Sequence, residues 1–348
     1  MSFRSIRCRA FAATFIFAAA GLLRSSAFAA DQALIDAARR EGQVTWYTTQ
    51  IIDQFARPAA EAFQKQYGIP VSFVRGDDTA VALRVFNEHQ AGRTLADVID
   101  STSAIPTIKG EGFLMKWLPD GVTRLPKDAF DSEGYWVATN EFFSTPAFNT
   151  NLVPRGTEPR TFQDLLDPKW KGKMAWASHV GPSGAPGFVG RALTAMGENK
   201  GMSYLRSLAK QEVVDLDGSS RSVVDQVMAG EYPIALQIFN HQAVISAAQG
   251  APVEWIPMSP AMAIFSVTAL MQDAPHPNAG RLFEDFLISE EGQQIFRDGD
   301  YIPVDPSVSP RTPSLRPNGG PFQAIFFSPE QISASMPHWA EVYKQIFE

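Results

Sequence analysis

The chain has 348 residues, 45% of them hydrophobic, and carries 30 basic against 37 acidic residues for a formal charge of −7. That acidic balance argues against a nucleic-acid partner, whose affinity comes largely from phosphate neutralisation. The length suffices for a leader and two domains.

The first thirty residues read as an export signal. Arg4, Arg7 and Arg9 form a basic start, Ala10 to Leu23 is an apolar run, and Ala27-Phe28-Ala29 offers small residues to signal peptidase, with cleavage before Ala30. An apolar run of about 14 residues is short for a membrane anchor, which needs roughly 20. Residues 1–29 are therefore expected to be removed and the protein to work in the periplasm. The single cysteine, Cys8, precedes the apolar run, whereas a lipoprotein cysteine would follow it. After cleavage no disulfide framework, thiolate metal site or cysteine nucleophile remains. The signal takes four arginines and no acid, leaving 26 basic against 37 acidic residues, or −11. A pocket's local field can still oppose that charge.

Downstream, strands and helices alternate. A helix is expected over Gln32 to Arg40, a strand over Val44 to Thr48, and a helix over Ile52 to Tyr67 with Phe55, Ala59 and Phe63 on one face, closed by Gly68. A strand over Pro70 to Val74, a helix over Thr79 to His89 and a strand over Ala96 to Ile99 complete a βαβαβ unit, which implies a parallel sheet covered by helices. Ligands of such sheets bind outside the carboxyl ends of the strands. The sequence there is polar each time: Thr48-Thr49-Gln50, Arg75-Gly76-Asp77-Asp78 and Ser101-Thr102-Ser103. Thr49, Asp78 and Ser103 can equally be helix N-caps, so convergence on one sheet edge is what favours a site.

A second α/β unit follows. Tyr135 to Phe148 is extended and suited to crossing between lobes. Helix begins at Thr161 to Leu166, and a strand over Lys173 to Ala177 runs into the glycine- and proline-rich stretch His179 to Gly187, expected to be an extended loop. Helices over Arg191 to Met196 and Gly201 to Leu208, a strand over Val213 to Leu216, a helix over Ser222 to Ala229 and a strand over Pro233 to Ile238 complete it.

Three stretches carry a family resemblance: Val44 to Tyr47 with Phe63-Gln64-Lys65-Gln66-Tyr67-Gly68-Ile69-Pro70-Val71; Asp167-Pro168-Lys169-Trp170-Lys171-Gly172-Lys173; and Ala279-Gly280-Arg281-Leu282-Phe283 through Phe286-Leu287 to Ser289-Glu290-Glu291-Gly292-Gln293. From about Gln43 to Pro303 the chain resembles the periplasmic substrate-binding proteins of ABC transporters, in the ferric-iron-type branch of the two-lobed type II fold. The resemblance implies an α/β protein of two lobes, each a mainly parallel sheet flanked by helices, with the ligand in the cleft between them. It places residues 30–140 with 265–309 in lobe 1 and 141–264 with 310–348 in lobe 2. The proline-rich Asp305 to Pro321 would link to a terminal helix over Pro329 to Phe347. It also implies a monomer that delivers a small-molecule solute to an inner-membrane ABC permease.

The branch's iron chemistry does not carry over. The positions of its histidine, carboxylate and paired tyrosines fall on Ile51, Thr102, Asn240 and His241, whereas ferric iron wants carboxylate and phenolate oxygens. His89 is expected to pack against its own helix, and His179, His276 and His338 have no partner at metal-ligand spacing. No cofactor is implied.

The cleft reads instead as a pocket for an anionic organic solute. Arg75 and Arg221 could grip a carboxylate or phosphate, each guanidinium forming two parallel bonds. Ser183 and Gly184 could add an anion-binding concavity, and Phe142, Phe143 and Phe239 apolar walls. Thr48, Thr49, Gln50, Ser101, Thr102, Asn140, Asn240 and His241 complete the candidate set. Surface salt bridges for the arginines and core packing for the phenylalanines are the competing roles. Asp77 and Asp78 would repel an anion but could hold an ammonium group. Two rival functions stand: ferric iron held through unusual ligands, and a hydrolase using Gly181-Pro182-Ser183-Gly184-Ala185, which resembles a nucleophile elbow but ends in alanine.

Overall fold

The computed structural model describes residues 31–317 and 320–348; the expected signal peptide, with Cys8, lies outside the described residues. Helix α1 (Gln32–Glu41) starts at Asp31, whose carboxylate accepts from the Ala33 amide, and stops at Gly42 in the left-handed conformation. Strand β1 (Val44–Thr48) follows. The expected single helix to Tyr67 is divided: a π-helical segment (Ile52–Ala56) precedes α2 (Arg57–Tyr67), whose first turn contains Pro58. Pro58 has no amide to give, so the regular ladder cannot run through it. Then come β2 (Val71–Arg75), α3 (Asp78–Gln90), β3 (Val98–Ser101) and the short α4 (Ile105–Gly110).

Strand β4 (Val137–Asn149) is the longest. Beyond it the expected helix at Thr161 is only a 3-10 turn (Asp164–Leu166), because Asp164 folds back to accept from the amides of Arg160 and Thr161. Strand β5 (Met174–Ala177) leads into α5 (Ala185–Met196), which begins six residues earlier than periodicity suggests, inside the glycine-proline stretch. Gly184 is its N-cap and Pro186 lies in the first turn, where a missing amide costs nothing. The chain continues through α6 (Glu198–Ala209), β6 (Val214–Leu216), α7 (Ser220–Ala229), β7 (Ile234–Phe239), α8 (Asn240–Ala248), β8 (Val253–Trp255) and β9 (Ala261–Leu270). It ends with α9 (Pro277–Ile288), α10 (Glu290–Asp298), β10 (Ile302–Pro303), β11 (Ala324–Phe327) and α11 (Pro329–Phe347). No helix among the described residues is long and apolar enough to cross a membrane.

The sheet runs β2-β1-β3-β9-β4-β7-β5-β6. As the βαβαβ pattern predicts, β1 pairs in parallel with β2 and β3. Two long antiparallel strands join this end to the parallel β7-β5-β6 end: β4 and β9 pair from Val137↔Thr268 to Ser144↔Met262, with a bulge between Ala138 and Asn140. Both ends hang on that pair, since β3 joins β9 and β7 joins β4. Around β1, Trp46, Phe55, Phe63, Phe283, Phe286 and Phe296 form a fully buried aromatic core, with Phe55 stacked on Phe296 at 3.5 Å.

One carboxyl on α9 couples this core to pH. Burial, then Asp120, pushes Asp285 up to about 7 against the pull of Arg124. The unfolded chain ionises this group near 3.8, so between those values the folded state binds the proton more tightly. Stability from Asp285 is full below pH 3.8 and is lost as pH rises through about 7. Asp285→Asn should remove this loss: thermal melts should show its advantage over the parent growing from pH 4 to pH 8. A constant difference would refute the assignment.

Candidate functional site

The carboxyl ends of β1 and β3 meet the β4–β9 pair. Thr48 is buried and its hydroxyl accepts from the Gln50 amide at 3.0 Å. Thr49 donates to Asp100 through its amide (2.8 Å) and its hydroxyl (2.6 Å). The Gln50 side-chain amide donates to Asn140 Oδ1 and Ser266 Oγ, both at 3.0 Å, pinning the turn after β1 to β4 and β9.

The capping roles differ from the simplest expectation. Asp77, not Asp78, caps α3, accepting from the Ala80 amide at 2.8 Å. Asp78 gathers both hydroxyls of Ser101 and Thr102 together with the Thr102 amide. Ser101 Oγ in turn accepts from the amides of Ser103 and Ala104. Arg75, at the end of β2, is exposed, and its side chain makes no hydrogen bond or ion pair among the described residues.

From the other end of the sheet, the loop before α5 brings Ser183, buried, with its hydroxyl 3.5 Å from His179 Nε2. Gly184 is packed so closely that a Cβ would lie 2.1 Å from the His179 carbonyl oxygen, which excludes any side chain there without moving backbone. Pro182 O accepts from Gln237 (2.9 Å) and Ser144 (3.4 Å), tying the loop to β7 and β4. Beneath it, the fully buried Arg191 braces the same two residues through Gln237 Oε1 (3.2 Å) and Ser144 O (3.5 Å). Burial without an acidic partner pulls Arg191 down to about 10. Arg221 opens α7, with 29% of its side chain exposed, donating to Ser246 Oγ at 2.9 Å and pairing with Asp225 at 2.8 Å.

Aromatic rings bridge these groups. Phe142 stacks on Phe239 (4.5 Å) and on His241 (4.8 Å), and His241 stacks on Tyr301 (4.7 Å). Phe143 points to the opposite face, against Phe322, as strand alternation demands. Tyr301 joins the stack from a distant segment. It is fully buried, its hydroxyl accepts from the Ile51 amide at 3.0 Å, and its phenol feels the charges of Arg75, Asp100 and Arg221 together. No local motif marks it.

Burial, with Arg221 adding, drives His241 down to about 3, so its ring is neutral. Burial raises Asp100 to about 6, with Thr48 and Thr49 opposing and Asp78 adding. Buried polar atoms of this region without a partner include Gln50 Oε1, Asp100 Oδ2, Asn140 Nδ2, Asn240 Oδ1 and His241 Nδ1. Each such group costs about 1–3 kcal/mol while its hydrogen bonding is incomplete. Asn240 gives its amide hydrogen to Leu315 O at 3.1 Å. Three other histidines serve structure: His89 stacks on Phe113, His276 joins Asp97, and His338 meets Glu198. Among the described residues no group of three or more His, Cys, Asp or Glu is set to hold a metal ion.

Comparison with known proteins gives the family and the fold. The family described as bacterial extracellular solute-binding protein matches residues 93–320. A periplasmic protein of Salmonella paratyphi A, provisionally named for binding 2-aminoethylphosphonate, is 24% identical over 316 residues, covering 87% of this chain and 85% of its own. Among solved structures, AfuA from Actinobacillus pleuropneumoniae with fructose-6-phosphate bound superposes with a TM-score of 0.74 at 19% identity, over 88% of this chain and 98% of that one. Iron-bound HitA from Pseudomonas aeruginosa gives 0.71 at 20%, over 87% and 99%. The fold is therefore the two-lobed type II periplasmic binding fold. These are substrate-binding proteins and not enzymes, which sets aside the hydrolase reading of Gly181 to Ala185.

Proposed function

This chain belongs to the bacterial extracellular solute-binding protein family, and we propose that the solute it receives is a small anionic organic molecule: a phosphonate, phosphate ester or carboxylate. Members of this family deliver small ligands to ABC transporters. The observation that carries the solute class is that two arginines, Arg75 and Arg221, both act on the buried Tyr301, together with buried polar atoms left without partners on Gln50, Asp100, Asn140, Asn240 and His241. Guanidinium groups supply the charge-assisted bonds an anion needs, and the Phe142–Phe239–His241–Tyr301 stack supplies apolar wall. The solute classes of two similar proteins, an aminoalkyl phosphonate and a sugar phosphate, agree with this reading.

In this proposal the lobes are residues 30–140 with 265–309 and 141–264 with 310–348, and solute bound to both shifts them toward a closed state. The bulge between Ala138 and Asn140 lies at that boundary and supports a bend there. The protein acts as a periplasmic monomer and presents the closed form to its permease.

The test is thermal unfolding of protein denatured and refolded to strip bound solute, run against 2-aminoethylphosphonate, fructose 6-phosphate, a carboxylate series, polyamines and ferric iron. A ligand at one hundred times its dissociation constant adds about 2.7 kcal/mol. Stabilisation by one of the anionic organics is expected; stabilisation by ferric iron or polyamines alone would overturn the solute class.

A further inference from the structure

A groove of about 430 Å³ lies between α3 and the outer strand β2, apart from the aromatic stack. Tyr47 forms part of its lining and donates its hydroxyl to Glu88 at 2.5 Å. Arg84 lies over the Tyr47 ring and pairs with Glu88 at 3.1 Å, while the Leu95 amide donates to the other Glu88 oxygen. The one acid in the lining is thus occupied by the lining itself. Arg84 shares the groove with Arg75 and Arg93, whose side chains make no hydrogen bond or ion pair among the described residues. The groove is cationic on a chain that is acidic overall.

It also gathers exposed apolar side chains. Of the six large hydrophobic side chains exposed among the described residues, three line it: Val74 (38%), Leu83 (56%) and Leu95 (39%). Such clustering marks an interaction site, whereas scattered exposed apolar residues do not. Strand β2 pairs only with β1, so along its other edge backbone donors and acceptors face no strand.

We propose that this groove and the β2 edge dock an extended acidic segment of a partner protein, which adds as a strand beside β2. Its apolar side chains would cover Val74, Leu83 and Leu95, and its carboxylates would reach Arg93 at the rim, leaving Arg75 to the solute. Backbone pairing supplies affinity and the side-chain groove supplies selectivity. An anionic lipid surface would satisfy the arginines but leave the β2 edge unpaired. A second copy of this acidic chain would bring net repulsion. The inference stands whatever the solute is.

The experiment titrates the protein into a fluorescent decapeptide alternating glutamate and valine, read by anisotropy, with backbone amide exchange followed in the complex. Saturable binding is expected, with slowed exchange within Val71–Arg75. Arg93→Glu and Leu83→Glu should each weaken it roughly tenfold, while Arg221→Ala should leave it unchanged. Both groove positions are exposed, so the variants should fold. The proposal is overturned by absence of saturable binding, by equal binding of the lysine–valine peptide, by insensitivity to Arg93→Glu, or by unchanged exchange along β2. It is equally overturned if phosphatidylglycerol vesicles or a second copy of the chain occupy the groove and the acidic peptide does not.

Discussion

Arg221→Ala should weaken binding of the best anionic ligand roughly tenfold to one-hundredfold while leaving the fold intact. The guanidinium is held by Ser246 and Asp225 with 29% of its side chain still exposed, so it is positioned without being consumed. A hydrogen bond to a charged group is worth about 1.5–3 kcal/mol, which sets the size of the loss. The intrahelical pair with Asp225 is worth only about 0.3–0.5 kcal/mol, so the ligand-free melting temperature should barely move. Asp225→Asn is the control, expected to change affinity far less. Calorimetric titration showing parental affinity in Arg221→Ala would remove this residue from the site. Ligand-free destabilisation of several kcal/mol would make its role structural.

Phe283→Ala should destabilise the protein by about 3–5 kcal/mol, the range for emptying a fully buried phenylalanine. Phe283 is wholly buried and stands edge-on to Trp46 at 5.2 Å and Phe63 at 5.1 Å, so three elements lose contact at once. The urea midpoint should fall with its slope unchanged. Solute affinity measured well below the transition should stay near parental, because the ring packs behind β1 and not at its carboxyl end. A loss under about 1 kcal/mol would mean that the core closes over the cavity.

Much of the architecture is legible from local pattern. The βαβαβ order, the stop of α2 at Gly68 and the terminal helix at Pro329–Phe347 follow from apolar spacing and caps. These signals act within a few residues, where chain connectivity keeps the partners together. Helix α8 shows how the same logic fails: it begins directly after β7, and its N-cap, Phe239, has no side chain able to hold a free amide. The early start of α5 is likewise hidden, since glycines and prolines that usually mark a loop here form a cap and a first turn.

The polar composition of the strand ends is local information, and it nominates Thr48, Thr49, Gln50, Arg75, Ser101 and Thr102 from residue type alone. Their partners are not local. Which of the two acids at 77 and 78 caps a helix and which ties β3 depends on hydroxyls more than twenty residues away. Arg221's restraint by Ser246 and the bonds joining Gln50 to Asn140 and Ser266 depend on sheet topology. Tyr301 is the clearest case: its hydroxyl meets the amide of Ile51, 250 positions earlier, and its ring completes a stack with residues from β4 and the β7–α8 junction. Composition and short-range pattern therefore suffice for the class of fold and for the rim of polar groups. Which of those groups are buried and which keep unpaired atoms arises only when distant segments are packed together, because burial and hydrogen-bond satisfaction are properties of the assembled chain and not of any stretch of it.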